Sequence, residues 1–493
     1  IYLSNTVLHK NDDNYVMDSL SLSLKENIHN SKDVKLVCDF LDMDIIGIIN
    51  FKHFENTFKN YVLNYYHVDK WARKGIRFKE QQQDFYVSLN LKETETLSRL
   101  LLPELTISNN TNLTATFTSN NYQLYSTIES DRITYNDMVF NNLYMKNKTT
   151  NKKTTLSVNL SELIFKENKD KNLITLGIDN VKLDFDAHND SLLIDLSWND
   201  DTEEDKNKGE LSALFIPNGA DSGKLYLSSS DMIINDTAWN ISQGCYLDIK
   251  GSKLSFNNMN LYSNNQSVIV NGYFPAMSKD TLSVNFNNLD ISAFDILTSG
   301  IGINIDGFIN GGLQVAGIKE KISILSNLSI SDIGINNHAV GNATIDAGWN
   351  SADTSMFVDT KIVRENTNDT LMTLEGNYYT MRKNNNLDFN LYLDDMDISV
   401  VNVFTKGILS RVDGKASGKF SIDGSLKKPV FIGEAQINNG TCNIDYLNTY
   451  YRINPDGYDG AFKPHIRSYE NRINLEDIVL VDTANNYAVA NGY

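Results

Sequence analysis

The residues that could carry chemistry are scattered along this chain of 493 residues. Each of the seven histidines, which could serve as metal ligands or general bases, stands without a partner at the spacing of a zinc site. The sequence also lacks a nucleophile elbow, a phosphate-binding loop and a Cys-x-x-Cys pair. We therefore expect no active site built on the histidines, which are His9, His29, His53, His67, His188, His338 and His465.

Two acidic clusters are the remaining candidates for chemistry. Asp394, Asp395 and Asp397 could act as paired carboxylates, but Asp397 precedes a short apolar segment, where an aspartate typically caps a helix. The run from Asp200 to Asp205 could bind a cation, yet it lacks the ligand order of a calcium loop. We interpret this run as a solvated loop. The sequence thus predicts a protein that is not an enzyme and that needs no metal or cofactor.

Composition further narrows the functional class of the protein. A net charge of −18 argues against a nucleic-acid partner, because phosphates are bound by Lys and Arg. Cys38, Cys245 and Cys442 lie far apart, so we expect small buried residues and no disulfide framework. No window approaches the run of about 18 apolar residues that spans a membrane. Since the chain begins at Ile1 and stops within a strand-like phrase, we interpret it as a fragment.

Most of the chain alternates apolar and polar residues over short stretches, which is typical of strands with one buried face. Asparagine-rich segments separate these stretches, and we expect them to reverse the chain. The pattern predicts an all-β fold of about 30 antiparallel strands. Examples of the strands are 174–178, 192–198, 301–305 and 387–393, and examples of the turns are Asn109-Asn110, Asn264-Asn265, Asn384 to Asn386 and Asn438 to Gly440.

Helix is scarce, and its best candidate is the segment from Phe54 to Tyr66. Phe54, Phe58, Val62 and Tyr65 recur there at intervals that place them on one face of a helix. Shorter helices are expected at 96–102, 293–297 and 400–405, each directly after a strand. We expect these helices to cap or line an edge of the sheet, with ordinary core packing as the alternative.

One phrase of the sequence occurs twice. Asp290 and Asp397, Asp306 and Asp413, and Gly317 and Gly424 are each 107 residues apart. A recurring unit usually buries its apolar face against its neighbours. We divide the chain into a β segment with the helix (1–110), antiparallel groove repeats (111–281), a first repeat copy (282–386) and a second copy (387–493).

Many strands with one apolar face, and few helices to cover them, predict an elongated, curved antiparallel sheet with a hydrophobic trough. Such a trough would suit acyl chains. A closed solenoid or sandwich, whose apolar faces pack on each other, is the alternative. The candidate lining residues are Val284, Phe286, Ile303, Ile305, Phe389, Leu391, Leu393, Phe420 and Ile422.

The last 110 or so residues carry a family resemblance. They resemble the C-terminal conserved region of TamB-like translocation and assembly module proteins, which belong to the AsmA-like superfamily. The segment from Ile46 into the helix near Phe54 is similar to the strand and helix of the large Bacteroidetes versions. The C-terminal resemblance lies in Asp423 to Pro429, Gly433 to Ala435, Asn439-Gly440, Ile444 to Tyr451, Leu475 to Thr483 and Ala488 to Gly492.

The resemblance implies a β-taco groove in the periplasm, an inner-membrane anchor outside this sequence and an outer-membrane barrel partner of the TamA type. It also implies passive movement of phospholipid between the two membranes. A scaffold for outer-membrane protein assembly, which would offer a sheet edge to nascent strands, is the first alternative. A β-solenoid adhesin or a glycan-cleaving β-helix is a more remote one.

Overall fold

The structure is a computed structural model of the chain. Two compact units divide it, residues 1–257 and residues 258–493. The residues that the structure describes are 1–10, 13–27, 29–65, 78–92, 94–136, 138–150, 153–166, 176–188, 191–200, 207–219, 221–234, 236–275, 280–294, 304–317, 323–336, 338–350, 354–382, 384–403, 405, 407–425, 428–455, 465–469 and 472–492.

Strands make up 74% of the described residues, and the pairings among these residues are antiparallel. The predicted all-β antiparallel class is therefore confirmed. The described residues form 31 strands, close to the number expected from the alternation. Among these residues, no helix is long and apolar enough to cross a membrane.

The first unit contains sixteen whole strands and the start of β17. They are β1 (Tyr2–Lys10), β2 (Asp13–Glu26), β3 (Lys32–Cys38), β4 (Leu41–Ile48), β5 (Asp84–Leu91), β6 (Leu105–Ile107), β7 (Asn112–Thr118), β8 (Gln123–Tyr135), β9 (Met138–Thr149), β10 (Thr154–Lys166), β11 (Leu176–His188), β12 (Ser191–Asn199), β13 (Lys208–Gly219), β14 (Ser222–Ile234), β15 (Thr237–Ile241), β16 (Tyr246–Lys250) and β17 (Lys253–Ser263).

The second unit contains the rest of β17 and the fourteen strands that follow. They are β18 (Gln266–Phe274), β19 (Leu282–Asp290), β20 (Ile305–Ala316), β21 (Ser323–Ile335), β22 (His338–Asn350), β23 (Ser355–Val363), β24 (Thr370–Tyr379), β25 (Leu387–Asp397), β26 (Leu409–Ser425), β27 (Lys428–Ile444), β28 (Thr449–Ile453), β29 (His465–Tyr469), β30 (Arg472–Val481) and β31 (Tyr487–Gly492).

Helices follow four of the strands, as expected, and a 3-10 helix at Asp445–Leu447 follows β27. The α-helices are α1 (Phe54–Tyr65) and α2 (Thr94–Leu101), and short 3-10 helices lie at Ile291–Phe294 and Ser399–Val403. Asp397 Oδ1 accepts a hydrogen bond from the Ser399 backbone N–H at 2.8 Å, so its predicted capping role is confirmed. Part of the helix predicted at 293–297 lies outside the described residues, as does most of the acidic run at 200–205.

Most strands pair with the next strand in sequence, but some are interrupted by short loops. β6 and β7 both pair antiparallel with β8, so they run in the same direction, end to end. The prediction that Asn109-Asn110 reverses the chain is therefore wrong. β15 and β16 lie end to end along β14 in the same way, and β28 and β29 do so along β27.

The asparagine segments at Asn264-Asn265 and Asn384 to Asn386 do connect paired or consecutive strands, as predicted. The segment from Asn438 to Gly440 does not, because β27 continues through it to Ile444. Asn439 has a φ of 49° there and sits where the register between β26 and β27 shifts. The predicted turn is a β-bulge, which needs the same left-handed conformation.

Five bulges in the second unit each contain the same type of hydrogen bond. In four of them the strand register shows two residues opposite one, and the second bulged residue has a positive φ. Its backbone N–H donates to a side chain on the next strand. The pairs are Asn258 with Asn271 (2.8 Å), Asn288 with Asn310 (2.7 Å), Asp332 with Asn342 (2.9 Å), Asp395 with Ser417 (2.9 Å) and Asp477 with Asn491 (2.8 Å).

The two repeat copies match at these positions. Asn288 and Asp395 are equivalent bulge residues, and their acceptors Asn310 and Ser417 have the same offset. Asp290 accepts from the Ser292 backbone N–H at 2.9 Å, as Asp397 does from Ser399. Gly307 and Gly414 have φ values of 139° and 129°, which favour glycine. The boundaries of the four predicted segments stay a prediction.

Substitution at Asn288 tests whether the bulge depends on a left-handed residue. Because alanine lacks the short polar side chain with which asparagine tolerates a φ of 47°, Asn288→Ala should lower the local free energy of opening by about 1 kcal/mol. Asn288→Gly, the matched control, should change it by only a few tenths of a kcal/mol. Hydrogen–deuterium exchange of β19 and β20 measures this difference, and equal exchange in both variants would contradict it.

Candidate functional site

An unbroken line of apolar side chains crosses the sheet of the first unit. Starting from Leu22 on β2, each cross-strand partner is again apolar through eleven strands. At ~4.8 Å between strands, this line extends over roughly 48 Å. We call it the apolar row, and it consists of Leu22, Leu36, Met43, Leu89, Leu113, Ile128, Met145, Val158, Leu183, Leu196 and Leu211.

On each strand, the residue adjacent to the apolar row points to the opposite face of the sheet. These adjacent residues form a second row, which is entirely polar. Because neighbouring side chains on a strand alternate between faces, the two rows separate apolar from polar character across the sheet. This polar row consists of Ser23, Lys35, Asp44, Ser88, Thr114, Thr127, Lys146, Ser157, Asp184, Asp195 and Ser212.

The apolar row is half-buried at all eleven positions. Leucines in a packed interior are usually fully buried, because protein cores are close-packed. Fully buried apolar side chains instead form local clusters, one of which lies under α1 and contains Val34, Ile45, Phe85 and Phe117. Within the described residues, the apolar row is therefore only partly covered, with Leu22 and Met43 packed against this cluster.

The second unit has the same two faces. A row from Val268 on β18 to Gly433 on β27 contains no charged residue, and its only polar side chain is that of Thr360. The members of this second apolar row are Val268, Phe286, Gly311, Leu328, Ile345, Thr360, Leu374, Leu391, Phe420 and Gly433. The opposite face carries Asn285, Gly312, Asn327, Asp346, Asp359, Glu375, Asn390 and Ser421.

Seven of the nine residues suggested by the sequence share this apolar face. Phe286, Leu391 and Phe420 belong to the second apolar row itself. The other four lie two residues away from a member of the row along the same strand, and they are Val284, Phe389, Leu393 and Ile422. All seven side chains are half-buried. Ile305 is also half-buried but begins β20 opposite Ile335, beyond a shift of register. Ile303 lies outside the described residues.

Sequence reasoning did not single out the first unit, although its apolar row is the longer one. The signal was present, because Leu192 to Trp198 and its neighbours alternate as strictly as β25 does. What the sequence lacks is the pairing register, which decides whether apolar residues of successive strands meet in one line.

The face that α1 buries is not the face on which the sequence spacing aligns Phe54 and Phe58. Phe54 and Phe58 are 42% and 51% exposed, whereas Asn60, Tyr61 and Tyr65 are buried. Asn60 is drawn inward because its side chain pairs with both backbone groups of Phe78, at 2.8 and 2.9 Å. The two phenylalanines therefore lie outside the buried face, although the spacing aligns them with Val62 and Tyr65.

Two tyrosines hold α1 against the ends of the strands. The hydroxyl of Tyr61 lies 2.9 Å from that of Thr149. The hydroxyl of Tyr65 shares its proton between the carbonyls of Tyr122 and Thr150, at 3.0 and 2.8 Å. Burial raises the pKa of Tyr65, so the phenol stays protonated and able to donate. The helix is thus fixed at one edge of the apolar face.

Titratable groups in the described part of the chain form no cluster of three or more that could hold a metal ion. The three cysteines are free and buried, as predicted. Burial raises the pKa of Cys245 and of Cys442, which keeps these thiols protonated and weakly nucleophilic. The distinctive feature of this chain is therefore its apolar face.

No protein-family model, curated protein or solved structure matches the chain. The TamB-like character inferred from the C-terminal phrases is accordingly a proposal.

Proposed function

We propose that this chain is a TamB-like periplasmic bridge that carries phospholipid between the inner and outer membranes along the apolar face of its sheet. The single observation that supports this most strongly is the apolar row, which is unbroken over eleven strands yet only half-buried. An apolar surface of this extent on a soluble protein usually marks a binding site. A linear hydrocarbon matches a continuous line of hydrocarbon side chains.

The physical role of the face is to replace water around the acyl chains. Each methylene that leaves a membrane for water costs about 0.8 kcal/mol, so a lipid with two long chains crosses an aqueous gap extremely slowly. Along the apolar row the acyl chains would stay in contact with Leu, Ile, Val and Met, while the headgroup would remain in water. Such a path needs no catalytic residue, because it only lowers the barrier to diffusion.

Crosslinking from the two faces of one strand tests this proposal. A photoreactive phenylalanine analogue at Leu113, on the apolar row, should form adducts with phospholipid in a bacterial envelope. The same analogue at Thr114, the adjacent polar-row position, is the matched control and should give at least tenfold fewer lipid adducts. Equal lipid labelling at both positions would contradict the proposal. Adducts at Leu113 with an outer-membrane barrel protein in place of lipid would instead support the assembly-scaffold alternative.

A further inference from the structure

Two apolar cavities lie between α1 and the sheet of the first unit. The first has a volume of about 170 Å³ and lies between the N-terminal half of α1 and strands β5, β7 and β8. The second has a volume of about 310 Å³ and lies between the C-terminal half of α1 and strands β9 to β12. Tyr61 contributes to the walls of both cavities.

The cavities follow one another along the direction of the apolar row. Because the first cavity lies beside the N-terminal half of α1 and β5, β7 and β8, and the second lies beside its C-terminal half and β9 to β12, the axis of α1 runs across the strands. Twelve helical residues extend for about 18 Å, close to four strand spacings of ~4.8 Å. The helix and the sheet therefore form the two walls of a slot that is parallel to the apolar row.

The first cavity presents almost only carbon. Its walls include Phe58 of α1, Phe85 of β5 and Ala115 of β7. The two hydroxyls at its border are already bonded elsewhere, since Thr57 donates to the His53 carbonyl at 3.1 Å and Tyr61 pairs with Thr149. A polar ligand would thus lose its hydration here without gaining a hydrogen bond. The exposed phenylalanines of α1, Phe54 and Phe58, also border this cavity.

We propose that α1, β5 and strands β7 to β12 form a binding site for a single phospholipid acyl chain. This inference rests on the proposed function and adds a defined binding site to the proposed lipid path. The length of the slot, about 18 Å, is close to that of one acyl chain, since the hydrocarbon core of a two-leaflet bilayer is about 30 Å thick. The chain lies between the two walls, against Ala115 and Leu156, and the headgroup stays outside the slot.

Photolabelling tests this site. The full chain is incubated with vesicles of phosphatidylethanolamine and phosphatidylglycerol that contain a phospholipid with a diazirine near the end of one acyl chain. After illumination, the labelled peptides are identified by mass spectrometry. Adducts are expected on α1 and on the segments of β7 and β10 that contain Ala115 and Leu156.

Two variants act on the slot by different means. Ala115→Phe fills the first cavity without adding charge, and Phe58→Glu places a carboxylate at its mouth, at a position that is already half exposed to water. Each variant should reduce labelling of α1 at least tenfold. Tyr86→Glu is the matched control, because Tyr86 is 41% exposed and follows Phe85 on the opposite face of β5; it should leave the labelling unchanged.

The outcomes separate this inference from the proposed function. Labelling of the apolar rows without labelling of α1 would overturn the slot and leave the lipid path standing. Labelling of α1 that persists in Ala115→Phe would overturn it too, because the label would then lie outside the cavity. The absence of adducts anywhere on the apolar face would overturn both proposals.

Discussion

Leu391→Asp should abolish lipid transfer along the second unit while leaving the sheet folded. Leu391 lies in the second apolar row, between Leu374 and Phe420 on the neighbouring strands. A carboxylate there must lose its hydration when an acyl chain passes, which costs roughly several kcal/mol without a compensating hydrogen bond. Since the side chain is only half-buried, the free protein can keep the charge in water. Phospholipid transfer between donor and acceptor vesicles measures the effect, and we expect a loss of at least tenfold.

Asn390→Asp is the matched control for this substitution. It adds the same charge one residue earlier on β25, on the face that already carries Glu375 and Ser421 at the paired positions. Its transfer rate should equal that of the unchanged protein. Equal transfer by a folded Leu391→Asp variant and by Asn390→Asp would contradict a path along this face.

Phe117→Ala should release α1 from the sheet. Phe117 is only 7% exposed, and its ring centroid lies 6.0 Å from that of Tyr61 and 5.8 Å from that of Phe85. Removing a buried phenylalanine costs about 3–5 kcal/mol, because the lost contacts leave a cavity. We expect the free energy of local opening of α1 to fall by that amount, as measured by hydrogen–deuterium exchange of its amides.

Phe357→Ala provides the comparison for that loss. Phe357 is 46% exposed on β23 of the second unit, so its truncation should change local stability by about 0.5 kcal/mol or less. If Phe117→Ala altered α1 exchange no more than Phe357→Ala alters that of β23, the aromatic contacts would not be what anchors the helix.

Alternation along the chain was enough to predict the antiparallel strands and the apolar face of β25. Phe389, Leu391 and Leu393 share a face because strand geometry has a period of two, which no tertiary contact can change. The row that they form with Leu374 and Phe420 could not be predicted from the sequence, because the register depends on which residues pair across strands.

Asparagine positions were predicted correctly as left-handed sites but not always as turns. Asn264 and Asn439 have φ values of 48° and 49°, yet one lies between strands and the other within a bulge. Local sequence supplies the preference for this conformation, and the continuation of the strand decides its use.

The orientation of α1 shows the same limit of prediction from local sequence. The predicted end of the helix at Tyr66 lies outside the described residues. Its start at Phe54 was predicted to the residue, since strand and helix periods differ sharply between Ile48 and Phe54. Its buried face was not, because hydrophobicity favours Phe58 over Asn60, whereas the partners of Asn60 and Tyr61 come from distant segments.

Native mass spectrometry with lipid extraction, on protein purified gently from a bacterial envelope, tests the central claim most directly. A lipid-binding apolar face predicts several phospholipid molecules per chain, with fewer in Leu391→Asp and an unchanged number in Asn390→Asp. A stable, monomeric chain that carries no lipid would contradict the claim, because its apolar faces would then have to be closed by the protein itself.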